Sequence, residues 1–246
     1  MGPRWYDYFS YSSLPALTIT QGANERLIGS VIKDPELRAK VFICTKFGVG
    51  SKDGKPMICG QPAYVRERCE ESLKNLQVDY IDLYYQHRVD RTIPIEATWK
   101  EMAALQAEGK VKYLGISEAT AEEIRRANSI AKVSALQIEF SPWTTDIRDN
   151  GILDTCRELG ISIVAYSPLG RGFLTGAIKS IDDLEPSDHR RGMPRMQEAF
   201  QENLKIVDAL KAVADRKGIT PSQLCLAWVF AQGEDFIAIP GTKKPK

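Results

Sequence analysis

The sequence of 246 residues predicts an α/β fold, the parallel (β/α)8 TIM barrel, and three observations support this prediction. From about residue 24 onward, short β-branched apolar runs alternate with longer segments of helical period, as repeated βα units require. A chain of this length also suits one full barrel. Finally, polar residues follow the predicted strands, and in such a barrel they would meet at the rim where catalytic groups lie.

Six strands are predicted from apolar runs short enough to be buried strands, at 41–45, 81–85, 113–116, 135–138, 162–166 and 236–239. Amphipathic periodicity predicts helices at 62–76, 95–109, 120–131, 147–159, 203–217 and 221–232. Thr120 and Thr220 are typical residues at helix starts, and Gly109 and Gly160 are typical stops. These elements account for six βα units.

Since a complete barrel has eight such units, we expect the first one or two βα units of this chain to be missing or altered. Residues 24–33 are predicted to form a helix ahead of the first strand, which leaves 1–23 as an irregular N-terminal segment before a barrel domain at 24–246. Two βα units need roughly 60 residues, because one crossover with its strands takes about 30. At the other end, residues 241–246 leave no room for a closing helix after the last strand.

The segment 171–200 has no apolar period and contains several glycines and prolines. It is expected to be an extended loop over one face of the barrel. Loops of that length are usually functional lids or disordered segments.

Composition excludes several classes of partner. The 33 Lys and Arg balance 32 Asp and Glu, and the basic pair Lys243-Lys244 is too short a footprint for nucleic acid or an anionic membrane. Five widely spaced cysteines show neither disulfide nor metal spacing, which indicates reduced thiols. Since no run approaches the ~20 apolar residues of a membrane span, we expect a cytoplasmic protein with a small-molecule substrate. The sequence leaves its oligomeric state open.

The residues that end the strands are the candidates for chemistry. Lys46 follows the first strand and His87 the second, while Ser117 and Glu118 follow the third and Gln137 lies in the fourth. Each has a structural alternative: Lys46 as a solvated lysine at the rim, His87 as a satisfied core histidine, and Gln137 as a structural amide.

A metal-dependent hydrolase is a further alternative. It would need two or more histidines or carboxylates converging on the strand ends. His87 has Glu118 and Glu139 as possible companions, and His189 belongs to the loop.

Several motifs together resemble the aldo/keto reductase superfamily, and most closely its microbial and plant branch near the potassium-channel β subunits. They are Thr-Lys-Phe-Gly at 45–48, Asp-Tyr-Ile-Asp-Leu-Tyr-Tyr-Gln-His at 79–87, Gly-Lys-Val-Lys-Tyr-Leu-Gly-Ile-Ser at 109–117, and the segments 137–143, 165–176 and 239–243. The resemblance covers roughly residues 22–246.

The resemblance implies hydride transfer from NADP(H) to an aldehyde or ketone, with protonation of the carbonyl oxygen. Lys46 matches the family's catalytic lysine, and His87 matches the histidine that orients the carbonyl. Cofactor binding is implied for Ser117, Glu118, Gln137, Tyr166, Ser167, Leu169, Gly170, Gly172, Gly241 and Lys243. Glu118 stands where the family usually has asparagine. Lys243 or Lys244 would favour a 2′-phosphate, and hence NADP over NAD.

Two positions depart from the family pattern. Counting back from Asn24-Glu25, the catalytic aspartate is replaced by Leu14 and the proton-donating tyrosine by Ile19. Tyr6, Asp7, Tyr8 and Tyr11 are possible substitutes, although their spacing from Asn24 differs. The family's final Glu-Asn pair is also missing. The sequence therefore supports an NADP-dependent reductase and, as an alternative, a catalytically impaired relative, either one that binds nucleotide without catalysis or a truncated, non-enzymatic form.

Overall fold

A computed structural model describes residues 22–52, 54–197 and 199–241 of the chain. These residues fall into two units, one containing 22–137 and 150–162, the other containing 138–149 and 163–241. Leu14, Ile19 and Lys243 lie outside the described residues, as does almost all of the predicted N-terminal segment. The predicted domain boundary at residue 24 stays a prediction.

The strands, in chain order, are β1 (Cys44–Phe47), β2 (Val49–Lys52), β3 (Lys55–Ile58), β4 (Ile81–Gln86), β5 (Val111–Ser117), β6 (Val133–Glu139), β7 (Ser162–Tyr166) and β8 (Phe236–Ile239). The α-helices are α1 (Ala23–Ile32), α2 (Pro35–Arg38), α3 (Pro62–Leu76), α4 (Ile95–Ala107), α5 (Ala121–Ile130), α6 (Ile152–Leu159), α7 (Phe200–Lys217) and α8 (Pro221–Phe230).

Four parallel strands, in the order β1-β4-β5-β6, form the sheet of the first unit. All six residues of β4 are buried, since this strand has a neighbour on each side and helices on one face. This burial explains why the strand is an almost continuous apolar run in the sequence. The last residues of β6 belong to the second unit.

The two faces of this sheet are distinguished by side-chain hydrogen bonds. Tyr84 in β4 donates from Oη to the carbonyl oxygen of Val65 in α3, 3.2 Å away. Trp99 in α4 donates to Oε1 of Gln86 at 3.0 Å. Tyr84 and Gln86 therefore face the helices. Because side chains alternate along a strand, Tyr85 faces the opposite side of the sheet.

Most predicted helix ends are confirmed. Thr120 and Thr220 each form a capping box with the residue three positions later, at the starts of α5 and α8. Gly160 ends α6 in a left-handed conformation. The predicted start at residue 147 is wrong, because Gly151 is left-handed and separates a short 3-10 helix at Asp146–Arg148 from α6.

The predicted first strand is displaced towards the C-terminus. The strand predicted at 41–45 is observed as β1 at Cys44–Phe47. The backbone N–H of Ile43 donates to the Asp82 carboxylate at 2.9 Å rather than to a neighbouring strand, so regular pairing begins one residue later.

An antiparallel hairpin that was not predicted from the sequence follows β1. It is formed by β2 and β3, which turn at Gly54. Each strand has four residues that include Gly, Lys or Pro, so no alternation of apolar and polar residues signalled a strand.

In the second unit, β7 and β8 form a parallel pair, and β8 follows α7 and α8. A separate apolar cluster lies among α7, α8 and the preceding loop. Its buried members are Phe173, Leu174, Ile178, Leu184, Met196, Phe200, Val207 and Cys225.

That cluster corrects the expectation for the segment 171–200. The segment contains short 3-10 helices at Gly170–Thr175, Ile181–Asp183, His189–Gly192 and Pro194–Met196. Ile178, Leu184 and Met196 are buried although their spacing follows no helical or strand period. Irregular segments bury apolar residues wherever the chain turns inward, so periodicity did not reveal this packing.

Two further findings concern the cysteines and the helices. Cys44, Cys59, Cys69, Cys156 and Cys225 are all free thiols. None of the helices in the described ranges is both long enough and apolar enough to cross a membrane.

Candidate active site

The ends of β1 and β4 bring Lys46 and His87 to the same side of the sheet. Lys46 is the register partner of Tyr85, and His87 is two residues beyond Tyr85. His87 also donates from its backbone N–H to the carbonyl oxygen of Phe47 at 2.8 Å, which extends the pairing by one step. Lys46, Tyr85 and His87 therefore share the face opposite α3 and α4, as strand alternation requires.

Lys46 is a partly buried cation. Its ammonium nitrogen lies 5.5 Å from the centroid of the Tyr85 ring. Desolvation, with a smaller contribution from the positive charge of Arg88, lowers the pKa of Lys46 from 10.5 to about 8. No carboxylate in the described ranges forms an ion pair with it. Lys46 is therefore mostly protonated at neutral pH and is a stronger acid than an ordinary lysine.

His87 is held in the opposite protonation state. Burial, with smaller contributions from the positive charges of Lys46 and Arg88, lowers the pKa of His87 from 6.5 to about 4. The imidazole is neutral at pH 7, so one ring nitrogen carries a proton and the other is an acceptor. A neutral histidine beside a protonated lysine can orient a carbonyl oxygen without taking the lysine's proton.

Ser117 and Gln137 lie side by side on the adjoining strands β5 and β6. They are register partners, and both are buried. Glu118 follows with a left-handed φ of 53°, and its N–H donates to the carbonyl oxygen of Gln137 at 3.1 Å. The hydroxyl and amide groups of Ser117 and Gln137 could bind a carboxamide. The structure therefore brings these sequence-predicted residues together with Lys46 and His87 in the first unit.

Arg88 is a candidate site residue that was not predicted from the sequence. Its Nη1 donates to the Ser117 hydroxyl oxygen at 3.4 Å and to the carbonyl oxygen of His87 at 3.1 Å. The signal that could have revealed it is its position directly after His87 at a strand end. Arginines at such positions are commonly taken as solvated surface residues.

In the second unit, the remaining predicted residues form a turn after β7. Ser167, Gly170, Arg171 and Gly172 all have positive φ, at 52°, 56°, 56° and 91°. The N–H of Gly170 donates to the Ser167 carbonyl at 2.9 Å, which closes the turn. A right-handed residue followed by a left-handed one, as Leu169 is followed by Gly170, is the backbone geometry of the nests that hold phosphate. Leu169 and Tyr166 flank the turn and are partly buried.

Ion pairs that no local sequence pattern predicts connect the turn to Glu139 at the end of β6. Glu139 accepts from Arg195 at 2.6 Å and from Arg171 at 3.3 Å. Arg195 also lies over the Trp143 ring, 4.6 Å from its centroid. Arg190 donates to the Arg171 carbonyl oxygen at 2.8 Å, which holds the same turn from the other side.

Glu139 bears on the metal-site hypothesis, since it was one of the possible companions of His87. Its carboxylate is instead ion-paired with Arg171 and Arg195. Across the described residues, no three His, Cys, Asp or Glu side chains are grouped so that they could hold a metal ion. Of the last two predicted cofactor residues, Gly241 is exposed and Lys243 lies outside the described ranges.

The family model for aldo/keto reductases matches residues 8–246. The chain belongs to the aldo/keto reductase family. The family predicted from the sequence motifs is confirmed, and with it an oxidoreductase fold of the (β/α)8 TIM barrel class.

Individual relatives agree with this family. Aldo-keto reductase str7 from Strobilurus tenacellus is 50% identical over 228 residues, which are 92% of this chain and 67% of the relative. The solved structure of glycerol dehydrogenase AKR11B4 from Gluconobacter oxydans superposes with a TM-score of 0.80 at 27% identity, covering 89% of this chain and 68% of that one. This aldo/keto reductase chain therefore spans about two thirds of the length of these relatives.

A second solved structure extends the likeness. A thermostable aldo-keto reductase in complex with the inhibitor epalrestat has a TM-score of 0.66 and 27% identity, with coverage of 89% of this chain and 67% of that chain.

Aldo/keto reductases use nicotinamide cofactors, and the residues of this family member fit such a group. The buried pair Ser117 and Gln137 offers hydroxyl and amide groups to a carboxamide. The turn at 167–172 contains the right-handed and left-handed pair Leu169-Gly170, a backbone geometry that suits phosphate.

Proposed function

We propose that this aldo/keto reductase uses NADP(H) to reduce an aldehyde or ketone to the alcohol. The observation that carries the proposal is the pairing of a protonated Lys46 with a neutral His87 on one face of the sheet, at adjoining strand ends. General acid catalysis at a carbonyl oxygen needs a donor whose pKa is close to the working pH. Lys46, with a pKa of about 8, meets this requirement.

The chain's residues divide the chemistry between them. Lys46 donates a proton, or a strong hydrogen bond, to the carbonyl oxygen as charge develops there. His87 donates its N–H to the same oxygen and fixes the direction of the carbonyl. The cofactor, when bound, supplies the hydride that the carbonyl carbon accepts.

Cofactor contacts are proposed for the residues that match the family's motifs. Ser117 and Gln137 would hold the carboxamide, and Glu118 directly follows Ser117. Tyr166 matches the family's aromatic residue for the nicotinamide ring. Phosphate contacts are assigned to Ser167, Leu169, Gly170, Gly172, Gly241 and Lys243. A lysine at 243 would pair with a 2′-phosphate, which favours NADP over NAD.

A second candidate function is nucleotide binding without carbonyl reduction. Leu14 and Ile19 stand at the positions of the family's aspartate and proton-donating tyrosine, and neither side chain can donate a proton. Under the first proposal, Lys46 protonates the carbonyl oxygen in place of the family's tyrosine. Under the second, cofactor binds and turnover is absent.

The test is a titration with NADPH followed by turnover. Quenching of tryptophan fluorescence measures the NADPH affinity, and loss of NADPH absorbance with a panel of aromatic aldehydes measures reduction. Micromolar binding with turnover that declines as the pH rises through about 8 would support Lys46 as the donor. Binding without turnover would favour the second candidate, and the absence of binding would contradict both.

Matched variants sharpen this test. Lys46→Met should lower turnover by a factor on the order of 10² to 10⁴ while the NADPH affinity changes little, because the variant loses the acid and keeps the cofactor contacts. The exposed Lys100→Met serves as the control and should retain turnover.

A further inference from the structure

The guanidinium of Arg88 is fixed at the active site by one of its two edges. Both of its hydrogen bonds, to the carbonyl oxygen of His87 and to the Ser117 hydroxyl oxygen, use Nη1. The side chain is only partly buried, so part of it is accessible to a ligand. Ser117 accepts from Arg88 and therefore keeps its own O–H available as a donor.

The other edge of Arg88, made up of Nε and Nη2, carries no hydrogen bond to any residue in the described ranges. Those two groups point in parallel, and their spacing matches the two oxygens of a carboxylate. An arginine held by one edge with the other edge open is already oriented for such a ligand, which reduces the entropy lost on binding.

The charge around this edge favours an anion. Lys46 and Arg88 are both cations, and each lowers the stability of positive charge on His87. Neither cation forms an ion pair with a carboxylate among the described residues. Two positive groups act on the neutral His87, and an anionic ligand between them would offset their charge.

We propose that Arg88 binds a carboxylate carried by the carbonyl substrate, so that the site prefers oxo acids to neutral aldehydes and ketones. The inference rests on the proposed function, because His87 must hold the carbonyl oxygen for the neighbouring arginine to meet the carboxylate. Arg88 directly follows His87 in the chain. A carboxylate next to the carbonyl carbon, as in a 2-oxo acid, suits that adjacency.

The test compares two ligands that differ in one charge. Phenylglyoxylate and its methyl ester share the same ketone and ring, and isothermal titration calorimetry at low salt measures the affinity of each, with and without saturating NADP⁺. The acid should bind the wild type about 10-fold more tightly than the ester, the lower range for hydrogen bonds to charged groups. Arg88→Gln should remove this preference, Arg88→Lys should keep part of it, and the exposed Arg216→Gln should leave it unchanged.

The outcomes separate this inference from the proposed function. Equal affinity for acid and ester in the wild type, or failure of both to bind, would overturn the carboxylate site even where NADP⁺ binds. If Arg88→Gln weakened NADP⁺ binding and left the preference for the acid intact, Arg88 would serve a cofactor phosphate and the inference would be wrong. Arg88-dependent binding of the acid without any NADP⁺ affinity would support the anion site and contradict the proposed function. Thermal melting of Arg88→Gln confirms that the variant is folded.

Discussion

The ring of Tyr85 occupies the space above Gly115. These residues are register partners in β4 and β5, and a Cβ atom added to Gly115 would lie 2.4 Å from Cδ1 of Tyr85. Tyr85 is buried and in turn lies beside Lys46, so one missing side chain in β5 shapes the surroundings of the proposed catalytic lysine. Glycine is required here by the close approach of a ring rather than by backbone conformation.

Gly115→Ala should destabilise the protein by about 1–3 kcal/mol, because a rigid buried ring must move to admit the methyl group. The free energy of unfolding in urea measures the loss. Gly192→Ala is the matched control, since a Cβ there has no atom within 4 Å, and it should change stability by less than about 0.5 kcal/mol. Equal effects of the two substitutions would show that the Tyr85 ring does not fill this space.

The lowered pKa of Lys46 makes stability depend on pH in a defined window. The unfolded chain keeps the lysine proton up to a pKa near 10.5, whereas the folded protein releases it near 8. Between these values the unfolded state binds more protons, so this group makes stability rise with pH. Below about pH 8, Lys46 is charged in both the folded and the unfolded state, and the full cost of desolvating its charge lowers the stability of the folded protein.

Lys46→Met removes that cost. The free energy of unfolding of the variant should therefore exceed that of the wild type most at pH 7, and this difference should shrink between about pH 8 and 10.5. Urea unfolding at pH 7, 8, 9 and 10 follows the difference, with Lys100→Met as the exposed control. A constant difference across this range would show that Lys46 titrates as an ordinary lysine.

The buried parts of the fold were predictable because burial leaves a strong pattern in the sequence. The residues of β4 form a continuous apolar run, and Thr120 marks the start of α5 through its capping box. Lys46 and His87 were found because they follow such strands. The hairpin of β2 and β3 was missed, because its short exposed strands have no apolar pattern to read.

Long-range partners could not be predicted from local pattern at all. Glu139 is separated from Arg195 by 56 residues, and the sequence offers no rule that pairs them. Arg88 was missed for a related reason: its importance comes from Ser117, which lies on a different strand 29 residues away. The role of a charged residue depends on its neighbours in the folded protein, whereas the spacing of apolar residues along the sequence already indicates their burial.

Glu139→Gln tests whether the ion pairs hold the segment 171–200. The substitution leaves the guanidinium groups of Arg171 and Arg195 without their shared carboxylate, and we expect a loss of about 1–3 kcal/mol in the free energy of unfolding. Trypsin should also cleave within the segment faster than in wild type. Glu202→Gln removes a highly exposed pair with Lys205 and should leave both measurements unchanged, so a similar response from the two variants would contradict the proposed anchor.

Asp82 forms a second buried ion pair, on which the first unit depends. Its carboxylate accepts from Arg38 at 2.8 Å and from the Ile43 N–H at 2.9 Å, and its side chain is only 7% exposed. Asp82→Asn keeps an acceptor for the N–H but leaves the buried Arg38 cation unpaired, which should cost about 3–5 kcal/mol.

A double-mutant cycle separates this pairing from a general loss of packing. If the cost of Asp82→Asn comes from the unpaired guanidinium of Arg38, adding Arg38→Met should recover part of that cost. The double variant should then be more stable than the sum of the two single losses predicts. Asp79→Asn, at an exposed position three residues earlier, should change the free energy of unfolding by less than about 0.5 kcal/mol. Additive losses in the cycle would mean that the cost of Asp82→Asn comes from other contacts of the carboxylate, such as its ion pair with Lys112, and that Arg38 is held by its bonds to the carbonyl oxygens of Val41 and Tyr80.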